Sequence, residues 1–357
     1  MRRSAAVRAL GLALATCAAL LPACKSDAVV SRSPGAACAT PSSDKTVCAV
    51  APGEFPPPDC DPSAHTCGTG GACSIDETKC GAKGTCLPLA SNQGRAIQDF
   101  RIRRLSIAAP DALAAVPLQK GVITRDIDLP NKECGEAGLG TFNWLFRVDR
   151  TKSRLTTGGA PKSADPFGTG FCFHDHDING THVGPVTGVP LTMRGDTFTS
   201  AAIPKLTIPI FREDGSAILL PLSDVTFNAV TLSANGDCVG TFDDRALAAD
   251  CTDDAAKCSK WKTAGAIAAH ITLEEADSVA VPELGASLCV VLTKTSPGAD
   301  GKCARVNGKI QATGDYCAAT AKACDCQDSF WLAATFAASA VTINDGTTAK
   351  ECSGGGG

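Results

Sequence analysis

Residues 173–182 read FHDHDINGTH and hold three of the chain's five histidines, with Asp175 and Asp177 between them. Imidazoles and carboxylates this close can chelate a metal, bind a hard cation or pair across a turn. Each use needs a different backbone. Asn179-Gly180 is a strong two-residue hairpin signal, because both residues tolerate positive φ. A hairpin of strands 170–178 and 181–187 sets Ile178 opposite Thr181 and Asp177 opposite His182. One face then carries Phe171, Phe173, Asp175, Asp177 and His182, and the other Cys172, His174, His176 and Val183. An exposed Asp–His pair across such a hairpin contributes only about 0.2–1 kcal/mol.

Two metal-binding patterns overlap the same residues. Asp175-His176-Asp177-Ile178-Asn179-Gly180 resembles the opening of an EF-hand calcium loop. The resemblance implies calcium held by the side chains of Asp175, Asp177 and Asn179 and the carbonyl of Thr181. Position 12 of that loop, a bidentate Glu in the family, is Val186 here. Gly168, five residues, then His174-x-His176 resembles the opening of the cupin motif. That resemblance implies a transition metal on His174 and His176, whose alternation along a strand puts both imidazoles on one face. Gly180 and Thr181 stand where the cupin Glu would be. The calcium set needs 175–180 curled, and the histidine pair needs 174–176 extended. The sequence leaves hairpin, calcium and transition metal all open.

Little else offers chemistry. G-x-S-x-G, His-Glu-x-x-His and a phosphate-binding loop are absent. Ser42 to Lys45 and Ser259 to Lys262 match S-x-x-K without its companion elements. Arg194-Gly195-Asp196 reads as a turn. Trp144, Trp261 and Trp331 lie in apolar segments and read as core, not as sugar platforms. The expectation is non-catalytic surface binding or adhesion toward an extracellular protein or glycan, with calcium as a structural ion. A metalloenzyme on a cupin-like barrel and a purely structural envelope protein are the rival classes.

The elements that must carry these residues read as strands. Period-two patterns dominate after Gly94. Apolar and basic residues nearly alternate through Phe100-Arg101-Ile102-Arg103-Arg104-Leu105-Ser106-Ile107. Residues 142–148 form another strand. Residues 206–211 turn at Glu213-Asp214-Gly215 into a hairpin partner at 217–220. Val225 to Leu232 alternates again, and Leu273-Glu274-Glu275-Ala276 favours a helical turn. Ser329 to Ile343 reads as either strand or helix. The expected fold is mainly β, an antiparallel β-sandwich or jelly-roll-like domain preceded by a small disulfide-rich module.

The cysteines and the N-terminus set the compartment. Arg2, Arg3 and Arg8 precede an apolar run from Ala9 to Leu21, which is shorter than the about 20 residues a membrane span needs. The run ends at Leu21-Pro22-Ala23-Cys24, which resembles a bacterial lipobox. That resemblance implies cleavage before Cys24, its lipidation, and membrane anchoring in the cell envelope, with the outer membrane as the expected site. Net charge is −4, and no basic stripe is present, which argues against nucleic-acid binding.

Of 20 cysteines, Cys17 falls in the leader and Cys24 would carry lipid. Seven of the rest precede residue 90, namely Cys38, Cys48, Cys60, Cys67, Cys73, Cys80 and Cys86. Eleven follow residue 130, namely Cys134, Cys172, Cys238, Cys251, Cys258, Cys289, Cys303, Cys317, Cys324, Cys326 and Cys352. In an exported chain they read as disulfides, and paired C-x2-C zinc knuckles are absent. Both counts are odd, so if all pair, at least one bond joins the two regions. The expected organisation is signal peptide 1–23, lipid-anchored Pro/Ala/Ser-rich linker 24–59, disulfide-rich module 60–94, β-rich domain 95–350 and disordered Gly tail 351–357.

Overall fold

The slip in the alternation around Arg103-Arg104 has a structural cause. In the first strand, β1 (Ile97–Ala109), Ile102 pairs with Ala338 and Arg104 with Ala337, which leaves Arg103 as a bulge. The extra residue shifts the parity, so Phe100, Ile102, Leu105 and Ile107 all join one apolar cluster despite their uneven spacing.

The computed structural model describes residues 85–115, 118–130, 136, 138–242, 259–318 and 327–344. The signal peptide, the linker, Cys24 and most of the cysteine module lie outside them, as do Cys38, Cys48, Cys60, Cys67, Cys73, Cys80, Cys134, Cys251, Cys258, Cys324, Cys326 and Cys352.

After β1 come β2 (Asn143–Asp149), β3 (Arg154–Ala160), β4 (His176–Ile178), β5 (Thr181–Val183), β6 (Val186–Arg194) and β7 (Thr197–Ser200). Next are β8 (Ile203–Phe211), β9 (Ala217–Asn228), β10 (Val230–Thr231), β11 (Cys238–Val239), β12 (Thr241–Phe242) and β13 (Trp261–Lys262). The series ends with β14 (Gly265–Thr272), short hairpins β15–β16 (Ala280–Val281, Ala286–Ser287) and β17–β18 (Arg305–Val306, Lys309–Ile310), and β19 (Ser329–Ala340). The fold is mainly β.

One large antiparallel sheet runs in the order β10-β7-β6-β3-β2-β1-β19-β14-β9-β8, with β11 also paired to β19. It curls until β8, at one end, packs against β3. A Cβ on Gly159 of β3 would lie 2.5 Å from the Pro209 ring of β8, so glycine is what permits that approach. The enclosed core centres on Phe146. Its ring packs against Phe100, Phe198, Phe227 and Phe336, which come from four other strands, at centroid distances of 4.9–6.5 Å. Each such pair adds about 0.5–1.5 kcal/mol beyond simple burial.

Ser329 to Ile343 resolves mainly into β19. This strand pairs with β1 on one edge and β14 on the other and is buried on both faces. A strand covered on both sides has no reason to alternate, which is why its sequence could not be told from a helix. The expected hairpin between β8 and β9 is present, with Phe211 opposite Ala217 and Ile210 opposite Ile218. The helical turn at 273 extends to Leu273–Ser278 and starts with a capping box, Thr272 accepting from Glu275 N and Glu275 accepting from Thr272 N. This helix and Leu288–Thr293 form a second apolar cluster on Ile271 and Phe330.

Cys86 bonds to Cys238, so one bridge does join the two cysteine-bearing regions. Cys289 bonds to Cys303, and Cys172 and Cys317 are also disulfide-bonded. The segment after Cys86 is fastened to the sheet as well. Leu89 N donates to Ala340 O, and Asn92 Nδ2 donates to Asp99 O and Gly236 O.

Candidate functional site

The Asn-Gly turn forms as its residue types dictate. Asn179 and Gly180 take φ of 52° and 78°, and β4 pairs with β5 with Ile178 opposite Thr181 and Asp177 opposite His182. The ladder is shorter than strands 170–178 and 181–187 would give, because other partners claim the flanks. Phe171 bridges to Ile343, His174 N donates to Gly159 O, and Val186 pairs with Thr157 of β3.

The histidines and aspartates come together in two groups. His182 approaches Asp175 through Nε2 at 3.2 Å and Asp177 through Nδ1 at 3.3 Å, and all three side chains are about two-thirds exposed. Water screens such contacts, so they position the hairpin more than they stabilise it. The rings of His174 and His176 meet edge to face with centroids 5.7 Å apart, and Phe211 stacks edge-on to His174 at 5.3 Å. Burial, then the neighbouring His176, holds the His174 pKa below the ordinary imidazole value. Its Nε2 is buried with no hydrogen-bond partner.

The calcium arrangement needs Asp175, Asp177, Asn179 and the Thr181 carbonyl around one centre. Both carboxylates contact His182, Asn179 forms the turn, and Thr181 pairs with Ile178 in the β4–β5 ladder. The transition-metal arrangement needs a third donor beside His174 and His176. Among the described residues, the one group of three or more clustered His, Cys, Asp or Glu donors is Asp277, Cys289 and Cys303, none of them in the hairpin. Its two sulfurs are bonded to each other and offer no thiolate.

A mainly apolar cavity lies elsewhere. It is an apolar hollow of about 150 Å³ between the curled sheet and two helical segments. Same-face residues of the sheet line it, including Leu105 and Ile107 of β1, Ile218 and Leu220 of β9, and Ile267 and Ala269 of β14. The floor is hollow because its residues are small. Ala334 sits between Ile107 and Ile267, and Ala269 lies opposite Leu332. One wall carries Leu113, Leu118 and Val122, and the other Val279, Val281 and Val291. Most of these wall residues are only half-buried, so the hollow opens toward solvent. The first wall is held by Gln119, in a π-helical turn Gln119–Thr124. Its amide accepts from Ile107 N at 2.8 Å and donates to Leu105 O at 2.8 Å, occupying the β1 edge that β2 leaves free.

A polar pocket adjoins the hollow. Ile218 and Val279 line both. The hairpin residues Asn179 and Thr181 reach the pocket, where they join Thr207, Arg212, Asp214 and Ser216. Of the sequence-derived site residues, Asn179 and Thr181 line this pocket, and His174, Asp175, His176 and Asp177 line neither space. No local motif marks the hollow. The available signal is the period-two apolar spacing in β1, β9 and β14, which also occurs in any core strand.

The alternation in β1 also concealed a buried arginine cluster. Arg101, Arg103 and Arg104 are all within 2 % of complete burial. Arg101 donates to Asn143 Oδ1 at 2.6 Å and Ile127 O at 2.5 Å and lies over the Phe171 ring. Burial, then Arg103, lowers its pKa to about 9. Arg103 pairs with buried Glu136, donates to Leu87 O at 2.9 Å and covers the Trp261 ring. These groups fasten the loop around Ile127 and the segment around Leu87 to the sheet. They are enclosed by protein.

Comparison with protein-family models, curated proteins and solved structures finds no match to this chain. Function therefore rests on the chemistry of the site.

Proposed function

We propose that this protein is an exported, lipid-anchored component of a bacterial cell envelope whose β domain binds an apolar small molecule without catalysing a reaction. One observation carries the binding reading, the open hollow of about 150 Å³ lined by aliphatic and aromatic side chains. Apolar surface left facing water there is unfavourable by about 25 cal/mol per Å². An apolar volume of this size can hold a molecule the size of benzene. A ligand that fills it recovers that loss. The disulfides Cys86–Cys238 and Cys289–Cys303 support an oxidising compartment outside the cytosol. The Leu21-Pro22-Ala23-Cys24 sequence supports the anchor.

The test uses N-phenyl-1-naphthylamine, whose phenyl ring matches the hollow. Titrated into the disulfide-intact domain, it should brighten to saturation at one equivalent. Ile218→Asp places a charge at the mouth and should abolish the signal. Absence of saturable brightening, or binding unchanged in that variant, would count against the hollow as a ligand site. For the anchor, palmitate labelling in the native host should mark the wild-type chain and be lost in Cys24→Ser. A label that persists would place the modification elsewhere.

A further inference from the structure

One wall of the hollow has a second side with a different chemistry. Along β9, Ile218, Leu220 and Leu222 line the hollow, whereas Ala217, Leu219 and Pro221 line the polar pocket. Alternation along a strand sends these two sets to opposite faces. Val281 and Glu283 are divided from Ala280 and Pro282 in the same way. The two spaces therefore lie back to back, and the pocket has to be read by its own lining.

The pocket has a volume of about 570 Å³, within the range of about 300–1,000 Å³ typical of small-molecule sites. Four segments far apart in sequence build it: the tip of the β4–β5 hairpin, strands β8 and β9, the turn between those strands, and residues 278–282. Ala217, Leu219 and Pro221 make one side apolar. The rest supplies hydrogen bonds of both senses. Asn179, Thr181, Thr207 and Ser278 carry an amide and hydroxyls, which donate and accept. Arg212 donates from Nη1 to Glu283 Oε1 at 2.9 Å and keeps further N–H donors. Asp214 accepts from Ser216 N at 2.9 Å and Ser216 Oγ at 2.6 Å, both on Oδ1, so Oδ2 keeps its acceptor capacity. Those bonds from Ser216 hold the Asp214 pKa below the ordinary carboxylate value, so the group is an anion at neutral pH. One turn thus presents a charged donor and a charged acceptor, the pair that neighbouring hydroxyls of a single ligand can use at once.

Charge and polarity narrow the class. Among the described residues lining the pocket, Arg212 is the one cation, and Glu283 already engages it. Asp214 repels a ligand carboxylate or phosphate. A wholly apolar ligand would leave the polar lining without partners. A sugar meets both demands, because its ring has C–H faces for the apolar side and hydroxyls around its edge. We propose that this pocket is a second binding site, separate from the hollow, for a neutral saccharide of one or two rings whose neighbouring hydroxyls engage Arg212 and Asp214. The FHDHDINGTH hairpin serves this site through Asn179 and Thr181.

Saturation-transfer NMR on the disulfide-intact protein at neutral pH tests this, with cellobiose, maltose, diacetylchitobiose and maltobionate as probes. At least one of the three neutral disaccharides should bind saturably, with a Kd of about 1 mM, and maltose should bind more tightly than its acid, maltobionate. Asp214→Ala should weaken the binding at least about tenfold, the equivalent of about 1.4 kcal/mol. Thr207→Val removes a hydroxyl and should weaken it about threefold. Both variants should keep the wild-type Tm. Ala269→Leu narrows the hollow from the other side of the wall and should leave saccharide affinity within about threefold. No saturable binding by any neutral disaccharide up to about 20 mM, unchanged affinity in either pocket variant, or tightest binding by maltobionate would each overturn the proposal. Loss of saccharide binding in Ala269→Leu would overturn the separation of the two sites. The dye titration of the hollow is a separate measurement, so either reading can fail alone.

Discussion

Ala269→Leu should stabilise this protein and weaken its ligand binding together. Ala269 is 1 % exposed, lies on β14 opposite Leu332 and faces the hollow. In a filled core, adding three carbons at such a position costs about 1–3 kcal/mol through forced rotamers and backbone shifts. Here the neighbouring space is about 150 Å³, enough for more carbon than the substitution brings. Three buried carbons contribute about 2.4 kcal/mol at about 0.8 each. Ordering the leucine side chain takes back about 0.5–1 kcal/mol. The net gain is about 1.5 kcal/mol, or a rise in Tm of roughly 3–6 °C for a domain of this size. The same side chain occupies about half the hollow, so affinity for N-phenyl-1-naphthylamine should fall at least about tenfold. Urea unfolding of the disulfide-intact protein followed by tryptophan fluorescence, with a parallel dye titration, measures both. Destabilisation by more than about 1 kcal/mol would mean the site behaves as a packed core. The argument from the cavity would then fail.

Three other outcomes follow from the buried groups. Glu136→Ala should cost roughly 3–5 kcal/mol in the same urea assay, because it leaves the Arg103 guanidinium charged, buried and without its carboxylate. The double replacement Arg103→Met with Glu136→Leu should recover most of that loss, and a double variant no better than the single would refute the charge argument. Replacing Cys86 and Cys238 together with Ala should cost about 2–5 kcal/mol, since the bridge closes a loop with a sequence separation of 152; a loss below 1 kcal/mol would show that the remaining contacts already fix that segment. His174 has a folded pKa depressed by burial and by His176, so its contribution to stability is present above pH 6.5 and is lost as pH falls through the folded value. His174→Phe should flatten the pH dependence of stability below pH 6.5, and an unchanged slope would assign that dependence to other groups.

Several features were legible because local chemistry decides them. Asn179-Gly180 predicts the turn and, with it, the pairing of Asp177 with His182, since few other dipeptides accept positive φ twice. The Glu213-Asp214-Gly215 turn places the β8–β9 hairpin in the same way. Odd cysteine counts on either side of a gap require a crossing bond if all pair, and Cys86–Cys238 is one. Trp144, Trp261 and Trp331 are core, as their apolar surroundings indicate.

The rest depended on which surfaces meet after the chain has folded. Alternation along β1 predicts a strand but cannot say whether its arginine face meets water. Burial followed because the segment after Cys86, the loop around Ile127 and Phe171 cover that face. The FHDHDINGTH residues likewise have fixed neighbours in sequence, yet their distance from a third metal donor is a property of the tertiary structure. The hollow is the clearest case. It exists because alanines from β14 and β19 lie beneath larger side chains from β1 and β9. By itself the sequence determined the short-range pieces: strands, turns, one helix cap and the need for cross-links. Only the curling of one sheet onto itself decided the order of the strands, the burial of the arginines and the site. Those outcomes depend on contacts between residues far apart along the chain, and local periodicity carries no record of them.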